Sequence, residues 1–372
     1  MSKKTIVCVV GARPNFMKMA PIIKELKQLK DQVTPYLVHT GQHYDQAMKA
    51  SFFEQLGIPE PDMDLGVGSG SHGEQTANIM LRFEPVLDEV KPCAVLVVGD
   101  VNSTIACSLV AVKKQIPVIH VEAGLRSGDR EMPEEINRVL TDQISDSLFT
   151  TERSAEANLV REGISSSRVH FAGNVMIDTL LNNVKLAISA AETVKEYAPE
   201  QAINNGEYAL LTLHRPSNVD DGKTLTSLLK SVVAISQKLP VIFPVHPRTK
   251  NRIEQEGLSE LIKSGHIICL PPVGYLQMLG LMKSAKLVLT DSGGLQEETT
   301  SLGIPCVTLR ENTERPITVE QGTNTIVGTD PEEIKACVDD IFASGGKSGR
   351  IPEYWDGNAA QRIVAKIKEL YL

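Results

Sequence analysis

The chain has 372 residues, 42% of them apolar and 23% charged, and a formal net charge of −8. Its length exceeds what one core usually serves, so two domains of ordinary size are expected. The excess of acids argues against a nucleic-acid partner, and no apolar run reaches the ~20 residues of a membrane span.

The opening Met1–Thr5 leads into a first strand, Thr5–Val10, and reads as no signal peptide. Further strands are expected at Thr34–His39, Ala94–Val98, Val118–Val121, Leu148–Thr150 and Val169–Ala172. A second set follows at Tyr208–Leu213, Val241–Val245, Ile267–Leu270, Leu287–Thr290, Cys306–Leu309 and Thr325–Val327. Continuous rather than alternating apolar character marks strands buried on both faces, hence parallel sheets flanked by helices. Between the first two strands, Phe16–Leu29 places Phe16, Ala20, Ile23 and Leu26 on one helical face, and Pro21 suggests a kink or a two-part helix. The polar stretch Ala198–Glu207 separates the two sets, which predicts two doubly wound α/β domains with the active site in the cleft between them. The expected division is 1–172 with the amphipathic helix 359–372, and 173–358. Six scattered cysteines without Cys-x-x-Cys spacing read as reduced thiols in a cytoplasmic protein.

Ligands of open parallel sheets sit at the carboxyl ends of strands, and this chain repeatedly places polar residues there. Gly11-Ala-Arg13-Pro-Asn-Phe-Met-Lys18 follows the first strand. Two cations at a helix N-terminus oppose its dipole, and a bound phosphate would explain them. Gly99-Asp100 follows the third, where Asp100 is either an N-cap or an active-site acid. Glu122 ends the fourth, with Arg126 as a plausible partner; Pro133-Glu134-Glu135 opens a helix in which Glu134 can pair with Arg138. In the second half, His214-Arg215 and His246-Pro-Arg248 end successive strands. Asp291-Ser292-Gly293-Gly294 then makes a strand–turn–helix, read either as a capped βα connection or as an anion-binding turn. His214 and His246 lack the spacing of a metal site, so no metal is expected.

The ordered set of motifs resembles the UDP-N-acetylglucosamine 2-epimerase family, the non-hydrolysing bacterial branch in particular. Its carriers are Gly11-Ala-Arg-Pro14 with Lys18-Met-Ala-Pro21, Gly41-Gln-His43, Gly99-Asp100 and His120-Val-Glu-Ala-Gly-Leu-Arg126. They continue with Pro133-Glu-Glu-Ile-Asn-Arg138, Gly173-Asn174 with Asp178, His214-Arg215, Pro244-Val-His246-Pro247, Thr290–Glu298 and Thr313-Glu-Arg-Pro316. The resemblance implies a GT-B-like fold, a homodimer, a role in polysaccharide biosynthesis, and interconversion of UDP-GlcNAc and UDP-ManNAc without NAD, metal or other cofactor. It implies that Asp100, Glu122, Glu134 and His214 are catalytic. It also implies that Arg13, Lys18, His214, Ser292, Gly293, Gly294, Glu298 and Arg315 face UDP, with Glu298 on the ribose. Gln42, His43, Gln46 and His246 would belong to a second, allosteric site for UDP-GlcNAc.

The chain departs from the family pattern in places. Gly-Ala-Arg-Pro-Asn replaces Gly-Thr-Arg-Pro-Glu, and Gln42-His43-Tyr-Asp-Gln-Ala-Met48 replaces Gln-His-x-Glu-Met-Leu, which puts substrate activation in doubt. Asn15 and Gly66–His72 keep open a 2-epimerase of a modified sugar nucleotide, such as a 2,3-diacetamido uronic acid. A GT-B glycosyltransferase is a further enzymatic reading, and a catalytically silent UDP-sugar sensor is the alternative from another class. The acids Asp100, Glu122 and Glu134 with His214 favour proton transfer over either.

Overall fold

The computed structural model describes residues 3–41 and 57–372, except for the side chain of Arg13. The chain divides into two compact units, one of residues up to Asn182 together with Glu353–Leu372, the other Asn183–Pro352. The division falls ten residues beyond the expected 172, because the helix Val175–Asn183 packs with the first unit: Val175 is buried in the same cluster as Ile6 and Val98.

The first unit holds β1 (Lys4–Val10), β2 (Val33–His39), β3 (Met63–Asp64), β4 (Ala94–Val98), β5 (Val118–Ala123), β6 (Ser147–Thr150) and β7 (Val169–Phe171). They form one sheet in the order β3-β2-β1-β4-β5-β6-β7, with every pairing parallel. β4 and β5 are buried along their whole length, as continuous apolar runs in a covered parallel sheet must be. One face of the sheet packs against Phe16, Met19, Ile23 and Leu26 of the helix Arg13–Gln28, which runs unbroken through Pro21. The terminal helix Ala359–Tyr371 lies in the same cluster through Ile363, Val364 and Ile367. Asp178 takes the first free N–H groups of that helix, from Ala359 at 3.1 Å and Ala360 at 2.7 Å. Burial pushes its carboxyl up to about 6 despite these bonds. The opposite face is covered by the helices His72–Val90 and Asn102–Lys113.

The second unit repeats the plan with β8 (Ala209–Thr212), β9 (Val241–Pro244), β10 (Ile267–Leu270), β11 (Leu287–Thr290), β12 (Cys306–Thr308) and β13 (Asn324–Ile326). Their order is β10-β9-β8-β11-β12-β13, again all parallel. In each sheet the strand order reverses beside the first strand, between β1 and β4 in one and between β8 and β11 in the other. A crevice opens there at the carboxyl ends of the strands, which is where such sheets bind ligands.

Candidate active site

The segments at the first switch point are Gly11–Lys18 after β1 and Gly99–Asp100 after β4. Lys18 lies on the inner side of its helix, and its Nζ donates to Glu122 Oε1 at 2.7 Å, with both side chains buried. The cation that the sequence suggested for a phosphate therefore has a protein partner. Glu122, the next-to-last residue of β5, has φ 73° at a register shift between Val121 and Ala123. A non-glycine residue in the left-handed region costs on the order of 1–3 kcal/mol, and such strain gathers at functional sites. Gly99 sits against this pair at φ +67°; a Cβ there would stand 3.1 Å from Lys18 Nζ. Asn15 is spent on the backbone. Its Oδ1 accepts from Ala12 N at 2.9 Å and Gly11 N at 3.3 Å, while its Nδ2 donates to the Val98 carbonyl at 2.9 Å.

The expected partners of Glu122 and Glu134 are corrected. Arg126 pairs with Asp142 at 2.7 Å and Glu162 at 2.6 Å, not with Glu122. Arg138 pairs with Asp100 at 2.6 Å and with Glu135 at 2.6 Å, not with Glu134. The reason is rotational: in the helix Pro133–Ile144, Glu135, Arg138 and Asp142 turn inward and are buried. Glu135 also accepts from Ser127 N and Gly128 N, at 3.0 and 2.9 Å. The Glu134 side chain is half-buried and makes no hydrogen bond or ion pair with the described residues.

At the second switch point His214 follows β8 and Asp291 follows β11. His214 Nδ1 lies 2.8 Å from Asp291 Oδ1, and Asp291 also accepts the backbone N–H groups of His214 and Arg215, both at 2.9 Å. Burial alone would raise the Asp291 carboxyl. The hydrogen bond and charge of His214, with the two backbone donors, outweigh burial and hold it below the usual range. Neither Asp291 nor Ser292 caps the helix Gly293–Leu302, which starts without a side-chain cap. Its first-turn N–H groups therefore have no side-chain cap, which decides against the capped-connection reading. A Cβ on Gly293 would stand 2.5 Å from Glu314 Oε1. Around Glu314 lie Arg215 at 3.3 Å and Arg310 at 2.9 Å, and Arg315 Nε lies 2.9 Å from Glu297 Oε1. Glu298 is buried and accepts the Tyr275 hydroxyl at 3.0 Å; burial, with the Glu297 charge nearby, pushes its carboxyl up to about 7.

His246 caps the helix Pro247–Gln255, its Nδ1 accepting from Arg248 N at 3.2 Å, and its ring lies 5.9 Å from that of His214. Gln42, His43 and Gln46 lie outside the described residues, as does the Arg13 side chain. Among the described residues no cluster of His, Cys, Asp and Glu is arranged to hold a metal ion. The sequence reading named Arg138 with the wrong acid, left Asp291 inside its turn motif without a role, and missed Asp142, which lies one helical turn beyond the Pro133–Arg138 motif.

Two doubly wound sheets with charged residues at both switch points define an α/β protein of the GT-B-like kind. Comparison with known proteins gives the family. The model of UDP-N-acetylglucosamine 2-epimerase matches residues 24–368, and this chain belongs to that family. It is 45% identical to a UDP-N-acetylglucosamine 2-epimerase of Methanococcus maripaludis over 96% of both chains. It is 40% identical to a UDP-2,3-diacetamido-2,3-dideoxy-D-glucuronate 2-epimerase of Pseudomonas aeruginosa, over 94% of this chain and 98% of that one. The structure resembles Methanocaldococcus jannaschii UDP-GlcNAc 2-epimerase in complex with UDP-GlcNAc and UDP, at a TM-score of 0.88 and 42% identity, covering 98% of this chain and 99% of that one.

Proposed function

We propose that this chain is a non-hydrolysing UDP-N-acetylglucosamine 2-epimerase, an isomerase that interconverts UDP-GlcNAc and UDP-ManNAc. The observation that carries this reading is the uncapped helix start beside arginines at the switch point of the second unit; in the first unit Asp100 and Glu122 are each held by a cation at the ends of β4 and β5. Membership of the family and likeness to a relative crystallised with UDP-GlcNAc and UDP support it. The C2 proton goes to a protein base, the C2–H electrons form the C1=C2 bond of 2-acetamidoglucal, and the C1–O bond breaks with its electrons leaving on UDP. Re-addition of UDP with protonation of C2 from the opposite face gives the epimer.

In this proposal Asp100, Glu122 and Glu134 carry or steer protons at C2. Asp100 and Glu122 each face a cation, and Glu134 faces none among the described residues. The turn Ser292–Gly294, with Arg315, holds the diphosphate. Glu298 meets the ribose. His214, its Nδ1 turned to Asp291, presents Nε2 to the leaving group. Of the two departures read for a diacetamido sugar, Asn15 is buried and braces backbone, while Ser71 and His72 are exposed and begin a helix with a capping box and a His72–Asn102 bond. Among the described residues no helix is long and apolar enough to cross a membrane. Exposed Leu81, Ile136 and Leu140 support a homodimer, and the unpaired cysteines a reducing cytoplasm. Incubating the protein with UDP-GlcNAc in D2O, without NAD and with EDTA, tests the reaction by NMR. Deuterium at C2 with appearance of the manno epimer is expected; a silent C2 refutes the proposal.

A further inference from the structure

Behind the acids of the first unit lies a second polar layer. His120 in β5 and Asp142 in the helix Pro133–Ile144 are both fully buried. His120 Nδ1 is 2.7 Å from Asp142 Oδ1, and its Nε2 is 2.8 Å from the backbone carbonyl oxygen of Gly99. A carbonyl oxygen only accepts hydrogen bonds. Asp142 Oδ2 is taken by two donors, Gly124 N at 3.0 Å and Arg126 Nη1 at 2.7 Å, which is how a carboxylate is solvated. A neutral imidazole carries one N–H, so it would satisfy one of its two acceptors and turn a lone pair toward the other.

We propose that His120 is a buried imidazolium and a positioning residue: both ring nitrogens carry protons, and the ring ties the Gly99 carbonyl to Asp142. The charges around it close on themselves. Asp142 faces His120 and Arg126, and Arg126 faces Glu162, which gives two cations and two carboxylates. On the site side stand Asp100 with Arg138 and Glu122 with Lys18.

The strut matters because of what it joins. Gly99 is the residue before Asp100, and His120 is two residues before Glu122 on the adjacent strand. The helix that supplies Asp142 also holds the Asp100 carboxylate through Arg138 at 2.6 Å and the Asp100 carbonyl through Asn137 at 3.0 Å. It carries Glu134 as well. His120 is therefore the link through which β4, β5 and this helix set three carboxylates relative to one another, and a shift of about 1 Å there is worth roughly a hundredfold in rate. This role rests on the proposed reaction; the protonation of the ring does not.

Two measurements test it. In the full chain labelled with 15N-histidine, the His120 ring, assigned from the signal lost in His120→Gln or shifted in Asp142→Asn, should show both nitrogens protonated at neutral pH. One unprotonated ring nitrogen there overturns the strut. His120→Gln and Asp142→Asn should each slow deuterium entry at C2 by about 10- to 100-fold while leaving the Kd for UDP within about twofold. Unchanged exchange, or UDP binding lost in parallel, overturns the positioning role. A wild-type protein that exchanges nothing at C2 refutes the proposed reaction instead, and the 15N spectrum still decides the strut.

Discussion

Asp291→Asn keeps the shape of a buried side chain and removes its charge. Every neighbour of Asp291 is a donor: the backbone N–H groups of His214 and Arg215 at 2.9 Å, Asn218 Nδ2 at 3.3 Å and His214 Nδ1 at 2.8 Å. The amide oxygen can serve some of them, but the amide NH2 offers no lone pair, so at least one donor is left unmet. Loss of a hydrogen bond to a charged group costs about 1.5–3 kcal/mol and an unmet buried donor about 1–3 kcal/mol. The two losses share one side chain, so about 2–5 kcal/mol is expected. Thermal unfolding measures the effect on stability, and the C2 exchange rate the effect on His214 at the site. The sign with pH follows from the lowered carboxyl. Its contribution is present above the ordinary value of 3.8 and is lost as pH falls through the folded value. The gap between variant and wild type should therefore stay level from about pH 5 to about pH 8 and narrow toward about pH 3. Equal melting temperatures at neutral pH, or a gap that widens on acidification, would refute the reasoning.

Lys18→Met leaves Glu122 buried without its ammonium and should cost about 3–5 kcal/mol, part of it recovered by adding Glu122→Gln; strictly additive losses would show that the pair does not act as one. Gly293→Ala puts a methyl 2.5 Å from Glu314 Oε1, where that carboxylate must shift against Arg215 and Arg310. UDP affinity, read by calorimetry, should fall by about tenfold, the equivalent of about 1.4 kcal/mol, and an unaltered Kd would remove the turn from the nucleotide site. Glu298 has its carboxyl raised from 4.5 to about 7, so its contribution to stability is full below about pH 4.5 and is lost as pH rises through about 7. Glu298→Gln should melt above wild type at about pH 8 and lose that advantage at about pH 4, the span being on the order of 3 kcal/mol; parallel melting curves across pH would contradict it.

The strands were legible because parallel sheets covered on both faces need unbroken apolar runs, and each expected run became a strand. β3 was not, since two residues, Met63 and Asp64, carry no periodicity. The polar strand ends were legible as positions, and the partners at those positions were not. Lys18 meets Glu122 across 104 residues, and His214 meets Asp291 across 77, through crossovers that no local pattern encodes. Within the helix Pro133–Ile144 the error was of one position: sequence spacing allows Glu134 to reach Arg138, but the inward face of that helix selects Glu135 and Asp100.

The terminal helix closes the core that the first strand opens. Lys4 Nζ reaches the Tyr371 carbonyl at 2.6 Å, and the Tyr371 hydroxyl meets Ser147 Oγ at 2.7 Å. On the ribosome, β1 to β7 emerge early, yet their sheet lacks one of its covering helices until Ala359–Tyr371 has been made. Asn183–Pro352 is contiguous and can close its own core at once. The half that is synthesised first therefore finishes folding last, with apolar surface around Ile6, Phe16 and Leu37 waiting for Ile363 and Ile367. A chain interrupted before residue 359 would lose more than a tail: it would leave the acid-bearing half with an open core.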